Sequence, residues 1–401
     1  MPETCYEPVV QPVVRAMSAG ISTPAAPRRP RLSAPARRVL LLVACVALAA
    51  YTGIRAPSAW TATLQSISLQ DGFHRRFVVG TVLHPVAEAT DYPYALFAGT
   101  SFVILAALLA VVVVAAARTR VPARRALVAG WLVLPTGGYL FHEVGYFEQL
   151  LFLALFGAWW LLARGRTVAA ALVMAVAVCV HEIAMLTVIP LFTLLVVDRL
   201  PIRRAAAVLL PAVLAGGTVL LVSPAADGAA PGLRARLREG GFPARADVFE
   251  IFGRTQAESL RMYEPFEVLW FLVPLAVLLA AALALAFAGG TVTGPRRPLA
   301  IAAATAPLVA AFAGWDTHRW AFLLLANTAV VTWWWLGRER GDATPSRVRS
   351  RHRILVAAAL LCVHVPLAYF DDFAPRELTG PGIRTFVDDT TSGDLLRTPT
   401  R

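Results

Sequence analysis

Long apolar stretches bounded on both sides by arginine constrain this chain more than any other feature of its sequence. Three such stretches, each of about thirty to forty residues, lie between Arg125 and Arg164, between Arg166 and Arg199, and between Arg297 and Arg338. A membrane-spanning helix needs about 20 apolar residues, so each stretch holds two crossings. Because arginine marks the cytoplasmic side of a membrane, the sequence predicts three helical hairpins whose apices face outward.

The remaining apolar runs complete a predicted topology of about eleven crossings. These runs are residues 39–53, 94–117, 205–222, 267–289 and, last, 353–370. The first run follows an arginine cluster, which places the N-terminus in the cytoplasm, and the odd number of crossings places the C-terminus outside. We therefore expect an all-α, polytopic integral membrane helix bundle.

Composition favours a membrane protein over a soluble one. Of 401 residues, 58% are hydrophobic and 15% are charged, whereas a single soluble core stops growing near about 250 to 300 residues. The net charge of +12 does not indicate a nucleic-acid partner, because the arginines stand in short clusters between apolar runs. We expect a multi-pass protein of the plasma membrane, specifically of a bacterial inner membrane, and the heavy use of alanine and arginine is typical of a GC-rich genome.

The predicted organisation has three parts. Residues 1–36 are rich in arginine and proline and are expected to form a disordered cytoplasmic tail. Residues 37–370 form the transmembrane domain, with external loops at 55–93 and 223–266, and residues 371–401 form an external tail. The pattern of the second loop predicts amphipathic helices that lie on the membrane as a lid. The alternative is a solvated, charge-rich loop.

Ionisable residues cluster at the predicted outer ends of the helices, and such residues mark functional sites by default because a membrane disfavours them. Each hairpin apex carries histidine beside or near a carboxylate, and the first external loop adds an acidic and basic run. The residues are His142 and Glu143 in the first apex, His181 and Glu182 in the second, Asp316, His318 and Arg319 in the third, and Asp71, His74, Arg75 and Arg76 in the loop. The repeated pattern predicts one shared external site.

Simpler interpretations apply to each group alone. A histidine and glutamate pair at a helix end can cap the helix or anchor it at the interface, and Arg75 and Arg76 can bind lipid headgroups. The length of the second hairpin indicates a cavity on the outer side. Its first helix, residues 167–180, spans only about 21 Å of the ~30 Å hydrocarbon core, so its apex lies below the outer surface. A broken helix below the surface is tolerated where it lines protein or water.

The residue types in this cavity suit a substrate that carries phosphate. Carboxylates supply a general base, histidine shuttles protons, and arginine binds phosphate through paired donors. The candidate catalytic residues are Asp71, Glu143, Glu182 and Asp316. The candidate substrate-binding residues are His74, Arg75, Arg76, His142, His181, His318 and Arg319. A polyprenyl-phosphate-linked sugar, surrounded by membrane lipid, is the partner that fits these parts.

This layout resembles the lipid-linked-sugar glycosyltransferases of the GT-C class and the EpsG-type polysaccharide polymerases. In those families an acidic residue of the first external loop acts as a base or metal ligand, and the resemblance assigns this role to Asp71. The run from Arg75 to Gly80 resembles an arginine-rich segment of related bacterial membrane proteins. A divalent cation is the cofactor that the resemblance implies. The chain departs from the class in having one acidic residue at this point rather than a pair, and in lacking a large soluble domain after the last helix.

Two rival functions follow from the same residues. A transporter or flippase can relay protons through acidic and histidine residues, but here these groups crowd the outer ends rather than the midplane. A metalloprotease needs a second histidine four residues after the first, whereas Tyr146 and Met185 occupy those positions. The protease motif is therefore absent, and transport stays as the alternative.

Overall fold

The computed structural model describes residues 33–222, 229–253, 265–288, 292–312, 316–338 and 373–394, together with isolated positions between 356 and 369. In this part of the chain every regular element is helical, which confirms the all-α class. The helices are α1 Ala34–Gly53, α2 Ala59–Gln65, α3 Phe77–Ala89, α4 Tyr94–Arg118, α5 Pro122–Val133, α6 Pro135–His142, α7 Glu148–Ala163, α8 Thr167–Val180, α9 Val188–Arg199, α10 Ile202–Leu221, α11 Ala229–Glu239, α12 Ala246–Gly253, α13 Pro265–Phe287, α14 Arg296–Thr305, α15 Thr317–Leu336 and α16 Gly380–Ser392.

Four of these helices, α1, α4, α10 and α13, are long and apolar enough to cross a membrane. Helices α3, α7 and α8 are apolar but shorter. Long apolar helices of this kind are typical of an integral membrane protein. The predicted N-terminal tail and the predicted crossing at 353–370 fall mostly outside the described residues.

Each predicted hairpin contains a break in regular helix. In the first, Pro135 separates α5 from α6, because proline cannot donate a backbone hydrogen bond. In the second, α8 ends at Val180 and a 3-10 turn, Glu182–Met185, precedes α9. In the third, α14 continues as the 3-10 segment Ala306–Phe312. The breaks bring irregular backbone, and with it polar groups, into the bundle.

Two glycines let α1 cross α6 at close range. A Cβ atom placed on Gly53 would lie 1.8 Å from the carbonyl oxygen of Gly138. The two backbones can approach this closely only because position 53 has no Cβ atom. Small residues at helix crossings are a general feature of membrane bundles, in which backbones pack closely.

One end of the bundle is held by Asp198, at the end of α9. Its carboxylate forms ion pairs with Arg296, at the start of α14, and with Arg338, just after α15, and it accepts a hydrogen bond from the indole of Trp334 at 3.2 Å. Arg124 of α5 joins the same end by donating to a backbone carbonyl of α15. We call this the Asp198 end.

The external loop predicted at 55–93 lies at the opposite end and is largely helical. It packs against α11 and α12 through a separate small apolar core. The contributing side chains include Ile67, Tyr92 and Phe97 on one side and Leu233, Leu237, Phe242 and Phe249 on the other. The apolar faces of α11 and α12 are therefore buried against protein, while residues 254–264 lie outside the described part.

The C-terminal segment also docks at this opposite end. Arg376 donates to the carbonyl oxygen of Ile54 at 2.8 Å, and the hydroxyl of Tyr51 donates to the carbonyl oxygen of Glu377 at 2.6 Å. Phe386 of α16 packs edge-on against the Tyr51 ring. Residues 373–394 thus contact the C-terminal end of α1, while every residue of α16 stays exposed or half-exposed.

Candidate functional site

The turn between α6 and α7 is fixed by amide side chains. Gln65 of α2 donates to the carbonyl oxygen of Gly145 at 2.6 Å, and Gly145 adopts a φ of 95°, a conformation that glycine reaches without strain. Gln149 donates to the carbonyl oxygens of Leu140 and Glu143 at 2.9 and 3.2 Å. These bonds hold Glu143 and the start of α7 inside the protein.

The third hairpin meets this turn through a buried ion pair. The Nε of Arg319 donates to Oε1 of Glu148 at 2.7 Å, and both side chains are buried. Asp316 caps α15 by accepting from the backbone nitrogen of Arg319 at 3.3 Å, and its carboxylate lies 3.8 Å from the guanidinium. The Arg319 guanidinium also lies over the ring of Tyr146, 4.6 Å from its centroid.

The second hairpin and the first external loop join the same site. The His181 ring lies 5.6 Å from the ring of Phe147, in the first turn. Glu182, the next residue, accepts from Arg76 at 2.6 Å. Arg76 has a φ of 70°, which is uncommon for a residue with a side chain. Strained backbone of this kind is found at functional sites, where the surrounding structure maintains it.

Glu143 is one of several buried residues of this site with unused bonding capacity, together with Glu148, Gln149 and His181. Its side chain is buried, with the residue 2% exposed, and within the described ranges its Oε1 has no hydrogen-bond partner. It interacts electrostatically with Arg319, Asp316, Glu148 and Arg55. A buried acceptor left without a partner costs about 1–3 kcal/mol, and more when charged.

His142 and His318 lie at the edges of the site. The His142 ring stacks on Tyr369 at 4.4 Å, and Tyr369 stacks in turn on Phe373 at 5.8 Å. His318 lies 5.6 Å from the ring of Phe271, in the π-helical turn of α13. Aromatic residues of the C-terminal segment therefore cover the first hairpin beside Glu143.

Asp71 and His74 belong to a different part of this end. The Asp71 carboxylate accepts from the hydroxyl of Ser68 at 2.9 Å and forms an ion pair with Arg236 of α11. The His74 ring lies 3.0 Å from the Asp71 carbonyl oxygen. Beside them, burial raises the pKa of the Tyr92 phenol, and Arg236 opposes this shift. The partners of Asp71 are those of a group that fastens the loop to α11.

The charge pattern does not suit a divalent cation. Within the part of the chain that the structure describes, no group of three or more histidine, cysteine or acidic side chains is arranged to hold a metal. Glu182 and Glu148 are already bound by Arg76 and Arg319, and these guanidinium groups would repel a cation.

The structure thus brings together residues from all three hairpin apices and Arg76 of the first loop, which the repeated pattern had grouped. It adds Glu148, Tyr146 and Arg55, which the sequence-based selection omitted. Glu148 carried a usable signal, since it is an acidic residue at the start of an apolar helix. Arg55 carried none, because its proximity to the site arises from the crossing of α1 over α6. No protein family, curated protein or solved structure matches this chain in the three comparisons.

Proposed function

We propose that this chain is a membrane glycosyltransferase or polysaccharide polymerase that uses a polyprenyl-phosphate-linked sugar on the outer face. The observation that carries the proposal is the buried mixed-charge site around Glu143, where carboxylates and arginines from separate hairpins converge. The hydroxyl group that accepts the sugar requires a base, and the phosphate leaving group requires cationic hydrogen-bond donors. Both types of group are present in one buried site.

The proposed topology has eleven crossings, with the N-terminus in the cytoplasm and the C-terminus outside. Two sets of contacts support this topology. The helix ends predicted to be cytoplasmic meet around Asp198, and the helix ends predicted to be external meet around Glu143. The Asp198 end gathers Arg296, at the start of α14, and Arg338, just after α15, as expected for the cytoplasmic side. Docking of residues 373–394 beside the C-terminal end of α1 agrees with an odd number of crossings.

Glu143 is the favoured general base. In the proposed step its carboxylate takes the proton of the acceptor hydroxyl, and the acceptor oxygen forms a bond to the anomeric carbon. The bond from that carbon to the phosphate oxygen breaks, and the electron pair leaves with the phosphate. Asp71 is less suitable, since Arg236 and Ser68 already bind its carboxylate. A positioned base of this kind contributes about 10²–10⁴-fold to a rate.

Arginines supply the charge that the leaving phosphate needs. Arg75 is half-buried, and its Nε has no hydrogen-bond partner among the residues described. Arg319 has five donor hydrogens, of which Glu148 engages only part. Donors placed where negative charge develops stabilise the transition state more in a dry site than in water. His181 and Asp316 then position these groups, and His142 and His318 flank the substrate.

The alternative is a transporter or flippase of a lipid-linked or small polar substrate. It is favoured by the ion pair Arg319–Glu148, which joins two hairpins, by the pair Arg76–Glu182, which joins the first external loop to a hairpin, and by the Asp198 cluster at the other end. Charged contacts at both ends of a bundle suit alternate opening of the two sides.

The test compares cells that lack the chain with cells that carry it as wild type, as Glu143→Gln, or as the matched control Glu88→Gln, whose side chain is exposed. We expect Glu143→Gln cells to lose one envelope sugar and to accumulate the lipid-linked donor in the outer leaflet, accessible to periodate added outside. Glu88→Gln cells should behave as wild type. Accumulation in the inner leaflet alone would support the flippase, and no accumulation of any lipid-linked sugar would contradict both functions.

A further inference from the structure

An apolar groove runs between α4, α5, α7 and α15. Its volume is about 380 Å³, and all of the side chains that line it are aliphatic or aromatic. Tryptophans dominate its wall, namely Trp131, Trp159, Trp160 and Trp333. The groove is open at its side, where Trp160 is 50% exposed. In a membrane protein such an opening faces lipid tails.

The groove matches one leaflet of a bilayer in length. It extends along α7 from Phe152 to Ala163 and along α15 from Phe322 to Trp333. Eleven helical steps at 1.5 Å each give about 16 Å, close to half of the ~30 Å hydrocarbon core. The groove therefore accommodates an acyl chain of about this length, and its far end, at Phe152 and Phe322, lies about one helical turn from Glu148 and Arg319.

Among the described residues, the arginines near one end of the groove are exposed or half-buried, whereas Arg319, one helical turn before Phe322 at the other end, is buried and paired with Glu148. The Arg164 guanidinium lies 3.8 Å from the centroid of the Trp160 ring, and the Arg124 guanidinium lies 4.7 Å from that of Trp333. Arg125 follows Arg124 in the sequence, one turn before the groove residue Val128. This is the Asp198 end, since Arg124 also donates to a carbonyl of α15 there. The Glu143 site lies at the opposite end.

We propose that this groove binds an anionic phospholipid of the cytoplasmic leaflet, with one acyl chain against the tryptophans and the phosphate at Arg164 and Arg125. Basic pockets between helices on the cytoplasmic side are sites for acidic headgroups. The phosphate of an outer-face substrate would lie beside Glu143 and Arg319, at the opposite end from Arg164 and Arg125, so lipid binding that depends on Arg164 and Arg125 distinguishes the two occupants. The assignment to the cytoplasmic leaflet rests on the proposed topology, whereas the binding itself does not.

Native mass spectrometry of the detergent-solubilised protein tests the site directly. Phosphatidylglycerol and phosphatidylcholine with the same acyl chains are added in turn, and the fraction of protein that retains lipid is measured. The variants are Arg164→Gln, Arg125→Gln, their combination, and Ala115→Trp, which fills the groove from an exposed position. The control is Arg203→Gln, an exposed arginine on α10 near the same end.

We expect wild type to retain phosphatidylglycerol in preference to phosphatidylcholine. Each arginine variant should weaken phosphatidylglycerol binding about five-fold, since one basic residue near an anionic lipid contributes about 1 kcal/mol. Ala115→Trp should weaken the binding of both lipids, and Arg203→Gln should change neither. Equal retention of the two lipids by wild type, or unchanged retention by the double variant, would overturn the proposal. Because no sugar transfer is measured, failure here is distinguishable from failure of the proposed function.

Discussion

At the Asp198 end, one buried carboxylate binds two arginines and an indole, and these contacts tie three helices together. At the Glu143 end, several carboxylates lie in one buried region with Arg319. Glu148 pairs with it, but Glu143 keeps an oxygen without a partner in the described part of the chain. The first arrangement is what packing and stability require, whereas the second costs free energy. Both carboxylate oxygens of Asp198 lie within ion-pair distance of an arginine, although Oδ1 makes no hydrogen bond in the described part of the chain. The comparison teaches that burial of charge alone does not identify a site, and that a buried carboxylate oxygen with neither a hydrogen bond nor an arginine beside it is the better candidate.

Removal of Glu148 should have the largest effect on stability. Glu148→Ala leaves Arg319 buried without its main partner, and breaking a buried pair in this way costs about 3–5 kcal/mol. The free energy of unfolding, measured by SDS titration in mixed micelles, checks this. Replacing both residues, as Glu148→Leu with Arg319→Met, should recover most of the loss. If the free energy of unfolding falls less in the single variant than in the double variant, the ion pair does not hold the Glu143 end together.

The crossing of α1 over α6 should be the next most sensitive point. Gly53→Ala places a methyl group into the carbonyl of Gly138, so the helices must separate, at a cost of about 1–3 kcal/mol or more. The matched control is Gly157→Ala in α7, where nothing lies within 4 Å of the added carbon. Unfolding of the two variants under identical conditions gives the comparison. Equal stability would show that the close crossing does not shape the Glu143 end.

At the Asp198 end, Asp198→Asn should cost about 1–2 kcal/mol, because Arg296 and Arg338 are partly exposed and water replaces much of what they lose. Lipid-linked sugar levels in cells should not change. Asp388→Asn, at an exposed position of α16, serves as the control. Loss of function without loss of stability would mean that both ends take part in the activity, as in a transporter.

The smallest effect is expected for the C-terminal segment. Arg376→Gln removes hydrogen bonds to the carbonyl oxygens of Ile54 and Tyr51, each worth about 1 kcal/mol at most in net stability. Limited proteolysis should then cut the chain after residue 373 more quickly than in wild type. A cleavage rate equal to that of wild type would show that aromatic stacking on His142 is sufficient to hold the segment.

The sequence predicted the helical class and the limits of α8, because apolar length and arginine spacing are local signals. It did not separate Asp71 from Glu143, since both are acidic residues near predicted helix ends. Their difference lies in Arg236, which is distant in sequence from Asp71 and binds it only after folding. The stacking of Tyr369 on His142 depends likewise on contact between distant segments.

The central claim is that Glu143 is retained for function at the expense of stability, and the most direct test measures both in one variant. Glu143→Gln keeps the shape of the side chain but removes the charge. We expect its free energy of unfolding in mixed micelles to stay equal or to rise by up to about 1–3 kcal/mol, while the lipid-linked donor accumulates in cells. A variant that is less stable than wild type but leaves donor levels normal would make Glu143 a structural residue and would contradict the account.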